Sequence, residues 1–147
     1  MTSGKTKKWL LVALGFIVLS AATALLVKNK SAGWEKIGAA PGLTYYADRS
    51  SVTRADNKVT IWLLADNKEA QTDNGKSYIS SRQQFEIDCA GKRKSLVHYA
   101  LYAESMGKGS EVAAYDLPNH AWSPATPGTV AETMWQLSCK PWWEFWS

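Results

Sequence analysis

The stretch EIDCAGKRKSLV, Glu86 to Val97, joins two strand patterns through a short polar turn. Before the turn, Ile79 to Cys89 alternates between apolar and polar residues, which is typical of an antiparallel strand with one face in water. After the turn, Lys94 to Ala103 is rich in Val, Leu and Tyr. We therefore predict a β-hairpin whose four-residue turn is AGKR.

Further strands are predicted on both sides of this hairpin. Trp34 to Ile37 and Leu43 to Ala47 are apolar and aromatic runs, separated by the turn residues AAPG. Lys58 to Asp66 alternates between two faces that are both partly apolar, as expected for a central strand. Glu111 to Tyr115 is predicted to be one more strand.

Two polar stretches between these strands are predicted to lie outside the sheet. DRSSVT, Asp48 to Thr53, is rich in turn-forming residues, and we interpret it as a short helical turn. DNKEAQTDNGKS, Asp66 to Ser77, is interpreted as a polar loop.

The last regular element predicted is a helix. Thr129 and Glu132 have the spacing of a capping box, in which two side chains satisfy free N–H groups at the start of a helix. Val130, Met134 and Leu137 follow at helical spacing. The fold class is therefore α+β: an antiparallel β-sheet of about five to six strands with one C-terminal helix packed on its apolar face.

The first thirty residues have the features of an export segment. MTSGKTKK carries three lysines, and Trp9 to Val27 contains no charged residue. An uncleaved helix over this run would be about 28 Å long, close to the thickness of the hydrocarbon core of a membrane. Ala22 and Ala24 instead fit the site that signal peptidase recognises. Residues 1–30 are therefore predicted to be an export signal or a membrane anchor, formed by one N-terminal helix.

The charge of the chain argues against a nucleic-acid partner. The net charge is +4, from 17 basic and 13 acidic residues, but three of the lysines precede Trp9. The 14 basic residues that remain (17 less 3) leave the rest of the chain at +1. A protein that binds nucleic acid usually has a much stronger positive bias.

Cys89 and Cys139 are the two cysteines of the chain. In an exported protein they are expected to form a disulfide, because the compartment is oxidising; two buried free thiols are the alternative. Their separation of 50 residues is unlike the spacing of a redox or metal-binding motif. By the chain-entropy model, a disulfide that closes a loop of this size contributes about 4 kcal/mol to stability.

No catalytic site, cofactor or metal site is predicted, and we expect a protein that is not an enzyme. His98 and His120 are the only histidines, and neither belongs to a metal-binding motif. Glu86 and Asp88 share one face of a predicted strand, as a pair of glycosidase carboxylates would. The solvated side of a strand is a commoner origin of such a pair.

Lys92, Arg93 and Lys94 are the first candidates for contact with a partner. They form either the solvated end of a hairpin or a docking patch for an acidic partner, such as an anionic glycan, a lipid headgroup or a protein. Because adjacent residues of a strand point to opposite faces, the three side chains cannot all contact one flat ligand.

The tail KPWWEFWS contributes three further candidates, Trp142, Trp143 and Trp146. Such an aromatic segment is not expected to remain in water, because exposed apolar patches usually mark contacts. It is predicted to fold back on the sheet, to lie at a membrane interface or to fill the groove of a partner.

Several short motifs resemble those of one known family. They are GLTYYAD (42–48) followed by Ser51-Val52, the strand with Trp62, SRQ (81–83), IDCA (87–90), GKG (107–109), PGT (127–129) and Cys139. In this order they resemble the surface-adhesin protein E-like family of Gram-negative bacteria. The resemblance implies a curved antiparallel sheet with a C-terminal helix tethered by a disulfide. We therefore assign residues 31–140 to a surface-adhesin protein E-like domain and residues 141–147 to a Trp-rich tail.

The resemblance also implies a function, which is non-catalytic binding to other proteins. The best-known role in the family is attachment to host extracellular proteins. Our first hypothesis is therefore an exported binding domain of the bacterial cell envelope, with a host extracellular protein or another envelope protein as its partner.

The N-terminus departs from the family and suggests a second hypothesis. The family's adhesin is a lipoprotein, whereas this chain has no cysteine before Cys89 that could carry a lipid. An uncleaved anchor with its lysines in the cytoplasm would hold the domain in the periplasm. The alternative function is thus an inner-membrane-anchored periplasmic structural or assembly accessory. We expect an inner-membrane protein with a periplasmic domain; a secreted, free periplasmic or cell-surface protein is the alternative.

Overall fold

The computed structural model of the chain describes residues 33–56, 58–141 and 144. The chain packs as two units, Met1–Ser31 and Ala32–Ser147, and the second contains all of the described residues. The predicted N-terminal export helix lies outside them. Within the part of the chain that the structure describes, no helix is long and apolar enough to cross a membrane.

All strands of the domain run antiparallel to their neighbours in one sheet. The first six lie side by side in chain order, and the seventh pairs with the start of the fifth. Their bounds are β1 Trp34–Ala40, β2 Leu43–Ala55, β3 Lys58–Asp73, β4 Lys76–Asp88, β5 Arg93–Tyr102, β6 Glu111–Asp116 and β7 Ser123–Pro124. Most neighbouring strands are joined by short turns, so the sheet is a meander.

One α-helix, α1 (Val130–Cys139), follows the strands, and a short 3-10 turn (Ser105–Gly107) lies between β5 and β6. This confirms the predicted α+β class, with seven described strands where five to six were expected. The additional strand, β7, has only two residues and belongs to the stretch DLPNHAWSPATPG, which carries no strand pattern.

The prediction of a helical turn at DRSSVT is wrong. The stretch belongs to β2, and a shift of register between Asp48 and Thr53 accommodates its additional residues. Ser51 supplies the local hydrogen bonds, because its Oγ accepts from Trp62 N at 2.9 Å and donates to Asp48 O at 2.5 Å. The hydroxyl therefore keeps the irregular part of β2 joined to β3.

The prediction of a polar loop at Asp66 to Ser77 is also wrong. β3 and β4 continue through it to a tight turn at Asn74 and Gly75, whose φ angles are +47° and +78°. Two residues of positive φ suit the right-handed twist of a hairpin. The side chains of residues 68–72 are exposed, so backbone pairing rather than burial extends these strands beyond the core.

The apolar faces of the central strands and of α1 form the core. Its buried members are Ala47, Val59, Ile61, Leu63, Phe85, Ile87, Met134 and Leu137. The strand members alternate along β3 and β4, and the helix members recur at helical spacing, as the sequence patterns predicted. The partly buried Cys89 and Cys139 pack against the same cluster.

α1 begins at the predicted residue, although its predicted capping box is not formed. Thr129 is the N-cap, but its hydroxyl donates to Thr126 O at 2.6 Å and does not accept a hydrogen bond from the helix. The Glu132 carboxylate accepts from Gly128 N at 2.7 Å, one residue before the cap. It still lies in the first turn, where the helix dipole stabilises a negative charge.

The C-terminal end of α1 is fastened to the sheet by a disulfide. Cys89, just after β4, is bonded to Cys139, the last residue of α1, with their Cα atoms 5.5 Å apart. Two hydrogen bonds act beside it: Trp135 Nε1 donates to Cys89 O at 3.1 Å, and Arg54 Nη2 donates to Ser138 O at 2.5 Å. The predicted disulfide is confirmed.

Replacement of both cysteines, Cys89→Ser with Cys139→Ser, is expected to lower the free energy of unfolding by about 4 kcal/mol. The 50-residue loop gains conformational freedom in the unfolded chain when the bond is absent. Urea denaturation followed by tryptophan fluorescence measures the difference. Dithiothreitol should destabilise the wild-type chain and leave the double variant unchanged. Equal unfolding midpoints for the two proteins would contradict a stabilising role for the disulfide.

Candidate functional site

The two faces of the sheet are covered differently. α1 packs on one face. On the opposite face, which we call the open face, the Ser105–Gly107 turn lies over Ser80, whose Oγ accepts from Gly107 N at 2.8 Å. The loop of residues 117–125 lies over Ser95, whose Oγ donates to Ala121 O at 2.7 Å. The parts of the open face beside these two segments form grooves that could hold a ligand.

The turn between β4 and β5 is organised by Asp88. Its carboxylate accepts from Gly91 N at 2.8 Å and, through Oδ2, from Arg93 Nη2 and Nε at 2.6 and 3.1 Å. The hydrogen bond from Gly91, followed by that from Arg93, lowers the pKa of Asp88 below its usual value. A Cβ on Gly91 would lie 2.4 Å from Asp88 Oδ2, so a larger residue there would displace the Asp88 carboxylate from this arrangement.

The basic side chains of Lys92, Arg93 and Lys94 each lie against an aromatic ring. The distances from the cation to the ring centroid are 5.1 Å for Lys92 on Trp135, 5.4 Å for Arg93 on Trp122 and 5.1 Å for Lys94 on Phe85. Trp135 and Phe85 belong to the side of the sheet that α1 covers, whereas Trp122 lies on the open face. The three cations therefore diverge.

Lys94 is the least available of these cations. It is partly buried, and burial lowers its pKa because the charged form loses water. Its Nζ also donates to Ser123 Oγ at 3.2 Å. Arg93 is paired with Asp88, whereas the Lys92 ammonium contacts an aromatic ring and has no ion pair within the described residues.

Trp122 is the one large hydrophobic side chain that is exposed among residues 33–56, 58–141 and 144, with 41% of its surface accessible. It lies between the Arg93 guanidinium and the His120 ring, whose centroid is 5.9 Å from its own. Together with Lys58, Glu86 and Arg93 it lines a groove of about 410 Å³ at this end of the sheet. We call it the Trp122 groove.

The charges around the Trp122 groove are already paired within the chain. Lys58 Nζ lies 3.3 Å from Glu86 Oε1, and Arg93 Nη2 lies 2.6 Å from Asp88 Oδ2. His120 Nε2 is 3.8 Å from Glu86 Oε2. An apolar platform is thus surrounded by polar groups whose net charge is small.

Ser95, His120 and Glu86 resemble a catalytic triad in composition, but their geometry does not suit catalysis. Ser95 is only 1% exposed, so a substrate cannot reach its hydroxyl. That hydroxyl donates its one proton to Ala121 O, so it can only accept a hydrogen bond from His120 Nδ1, which lies 2.5 Å away. A protonated Nδ1 cannot act as the base that activates the hydroxyl. The cluster instead anchors the loop of residues 117–125.

The other histidine also has a carboxylate partner that the sequence pattern did not identify. His98 Nδ1 lies 2.6 Å from Asp116 Oδ1, across the pair β5–β6. Within the described ranges, no three His, Cys, Asp or Glu side chains are grouped as a metal site.

Lys92, Arg93 and Lys94, the contact candidates expected from the sequence, lie together at this turn, and their side chains diverge as expected. The sequence pattern did not point to Trp122 or to the role of Trp135. The signal for Trp122 was present, since a tryptophan in the polar, proline-containing NHAWSP segment has no strand or helix pattern to bury it. The tail candidates Trp142, Trp143 and Trp146 lie outside the described residues.

Comparison with known proteins supports the resemblance seen in the sequence. The family model of surface-adhesin protein E matches residues 34–140. No curated protein matches the chain.

Solved structures of Haemophilus influenzae protein E share the fold. Crystal form II is 20% identical, with a TM-score of 0.59 over 76% of this chain and 90% of that one. A second structure of the same protein is 20% identical, with a TM-score of 0.58 over 74% of this chain and 85% of the other. Protein E from a non-typeable strain is also 20% identical, with a TM-score of 0.56 over 74% and 76% of the two chains. Because the family model covers most of the chain, this protein belongs to the surface-adhesin protein E family.

Proposed function

We propose that the chain is an exported, non-catalytic binding domain of the bacterial cell envelope that attaches to an extracellular protein through the Trp122 groove. Membership of an adhesin family supports export and binding. The buried position of Ser95, in the one cluster with a triad-like composition that we identified, is consistent with a non-catalytic role.

The observation that carries the proposal is the exposure of Trp122. Trp122 has 41% of its surface in water. A partner that covers this apolar surface would remove it from water, which favours binding. Tryptophan and arginine are also the residues that most often dominate the energy of protein interfaces. Here Arg93 lies directly against the Trp122 ring.

The surroundings of Trp122 are already ordered before a partner arrives. Asp88 holds Arg93 in place through two hydrogen bonds, and His120 is held by Ser95. Less conformational entropy is then lost on binding, which favours affinity. The adhesion surface is therefore a rigid aromatic platform with paired charges at its edge.

This arrangement also changes the role of the basic residues. Arg93 is neutralised by Asp88, and Lys94 is partly buried. The three basic residues of the turn therefore attract an acidic partner only weakly. Arg93 contributes instead as a flat side chain next to Trp122. We therefore infer a partner that presents an apolar side chain with polar neighbours of both charges. The alternative, a periplasmic accessory, is not favoured by the family match.

The location of the domain tests the proposal first. We expect protease added to intact cells to digest the domain, because an adhesin must face the outside. A periplasmic protein in the same cells serves as the control and should resist digestion until the outer membrane is permeabilised. Protection of the domain until permeabilisation would overturn host adhesion and favour the periplasmic alternative.

Trp122→Ala is expected to weaken attachment to an extracellular protein by roughly 30-fold, the effect of losing an interface contact worth about 2 kcal/mol. Cells that express the full chain are tested on immobilised serum and extracellular-matrix proteins, and the apparent Kd is measured. Trp122→Phe should keep most of the affinity, and Lys108→Ala, an exposed residue elsewhere, should keep all of it. Unchanged attachment by a folded Trp122→Ala variant would rule out the groove.

Asp88→Asn is expected to weaken attachment while the domain stays folded, because Arg93 loses its ionic partner beside Trp122. The pKa of Asp88 is lowered from 3.8, so the pair is intact above that pH and is lost as the pH falls through the lower, folded-state pKa. Wild-type attachment should therefore be retained from neutral pH to about pH 4. Glu69→Gln, on an exposed part of β3, is the control. Equal attachment by both variants would contradict the role of Asp88.

A further inference from the structure

A second groove lies on the open face, beside the Ser105–Gly107 turn. It has a volume of about 290 Å³, and its residues come from all of the strands β1 to β6. We call it the open-face groove. The members that matter for binding are Trp34, Trp62, Arg82, His98, Tyr102 and Glu111. It shares no lining residue with the Trp122 groove.

Arg82 has no carboxylate partner among the residues that the structure describes. Its Nη2 donates to Gly107 O at 3.0 Å. Its Nε is buried and has no acceptor. Arg93 on the same face is different, because Asp88 neutralises it. Arg82 thus has no ion pair, although Asp48 and Glu111 line the same groove. An unpaired guanidinium in a partly dry site can pair directly with an anion.

The position of the Arg82 guanidinium is fixed from both sides. It lies 5.0 Å from the centroid of the Tyr102 ring. Gly107 covers it on another side, with φ at +67°, and a Cβ there would lie 2.5 Å from Arg82 Nε. The turn is itself held by Asp66, which accepts from Met106 N at 2.8 Å. The cation is therefore preorganised for a ligand.

The walls of the groove are aromatic. The Trp62 ring meets His98 edge-on, with centroids 5.8 Å apart, and Asp116 holds His98 in this position. Trp34 lines the groove from β1. These rings offer flat apolar surfaces next to the guanidinium, a combination that suits a ligand with an apolar body and a charged end.

Two carboxylates limit how much negative charge the groove can accept. Asp48 is buried, and its Oδ1 already accepts from the N and Oγ of Ser50 at 2.9 and 2.5 Å. Glu111 is exposed at the rim, and its side chain has no ion pair or hydrogen bond in the described part of the chain. Both repel any anion, so only a ligand with a single negative charge, placed against Arg82, is expected to bind.

We propose that the open-face groove binds a small monocarboxylate with a flat or apolar body. The carboxylate pairs with the Arg82 guanidinium, and the body lies against Trp34 and Trp62. The volume of the groove is close to the lower end of small-molecule sites, which is about 300 Å³. The proposal does not depend on adhesion, since the two grooves are separate.

The test is a titration of the purified full-length chain with 3-phenylpropionate and with its uncharged amide. Binding is followed by the indole N–H signals of Trp34 and Trp62 in NMR spectra, assigned with Trp→Phe variants. The carboxylate is expected to shift both signals and to bind at least tenfold more tightly than the amide, because only the anion pairs with Arg82. Equal affinities, or no shift at about 10 mM carboxylate, would overturn the proposal.

Three variants test the assignment of the charges, and Arg93→Gln is the control. Arg82→Gln is expected to lose at least tenfold in affinity, whereas Arg93→Gln, an arginine on the same face, should lose nothing. Glu111→Gln is expected to bind the carboxylate two- to threefold more tightly, an effect of the size expected for one exposed charge. This exposed position keeps the test valid if Arg82→Gln fails to fold. Unchanged or weaker binding by Glu111→Gln would contradict the proposed electrostatics.

Discussion

The disulfide between Cys89 and Cys139 is the constraint on which the rest of the molecule depends. A ten-residue helix is marginal on its own, and this one is held by the bond itself and by hydrogen bonds from Trp135 and Arg54 beside it. Cys89 is also the first residue after β4, where the turn to β5 begins. The same link therefore positions both α1 and the turn.

The position of that turn has consequences for the candidate binding surface. Lys92 rests on Trp135 of α1, so the helix supports the turn from one side. Arg93 is held by Asp88 and reaches Trp122 on the other side. The loop that carries Trp122 returns to β5 through the short strand β7. Covalent, ionic and backbone interactions thus converge on one end of the sheet.

The two grooves of the open face differ in how their arginines are paired. Arg93 has an acidic partner and serves the geometry of Trp122, whereas Arg82 has only the carbonyl of Gly107 and the ring of Tyr102. In a partly buried setting an unpaired charge is costly, and proteins usually neutralise it. This pairing distinguishes the groove proposed for a protein partner from the groove proposed for a small anion.

The sequence by itself determined the α+β class, the core positions, the disulfide and the family. Alternation along β3 and β4 and helical spacing in α1 are local patterns, and burial of the apolar face follows them. The same logic predicted that Lys92, Arg93 and Lys94 diverge. It failed at DRSSVT and at Asp66 to Ser77, because the hydroxyl of Ser51 and backbone pairing kept polar residues in strands.

Only the tertiary structure decided which charges are paired and which aromatic rings are exposed. Arg82 contacts Gly107, which follows it by 25 residues in the sequence. Ser95 contacts His120 at the same sequence separation. Such contacts depend on how the Ser105–Gly107 turn and the loop of residues 117–125 fold back over the sheet, and irregular segments carry no periodic pattern from which their path could be predicted. The exposure of Trp122 and the unpaired charge of Arg82 therefore became visible only in the folded chain.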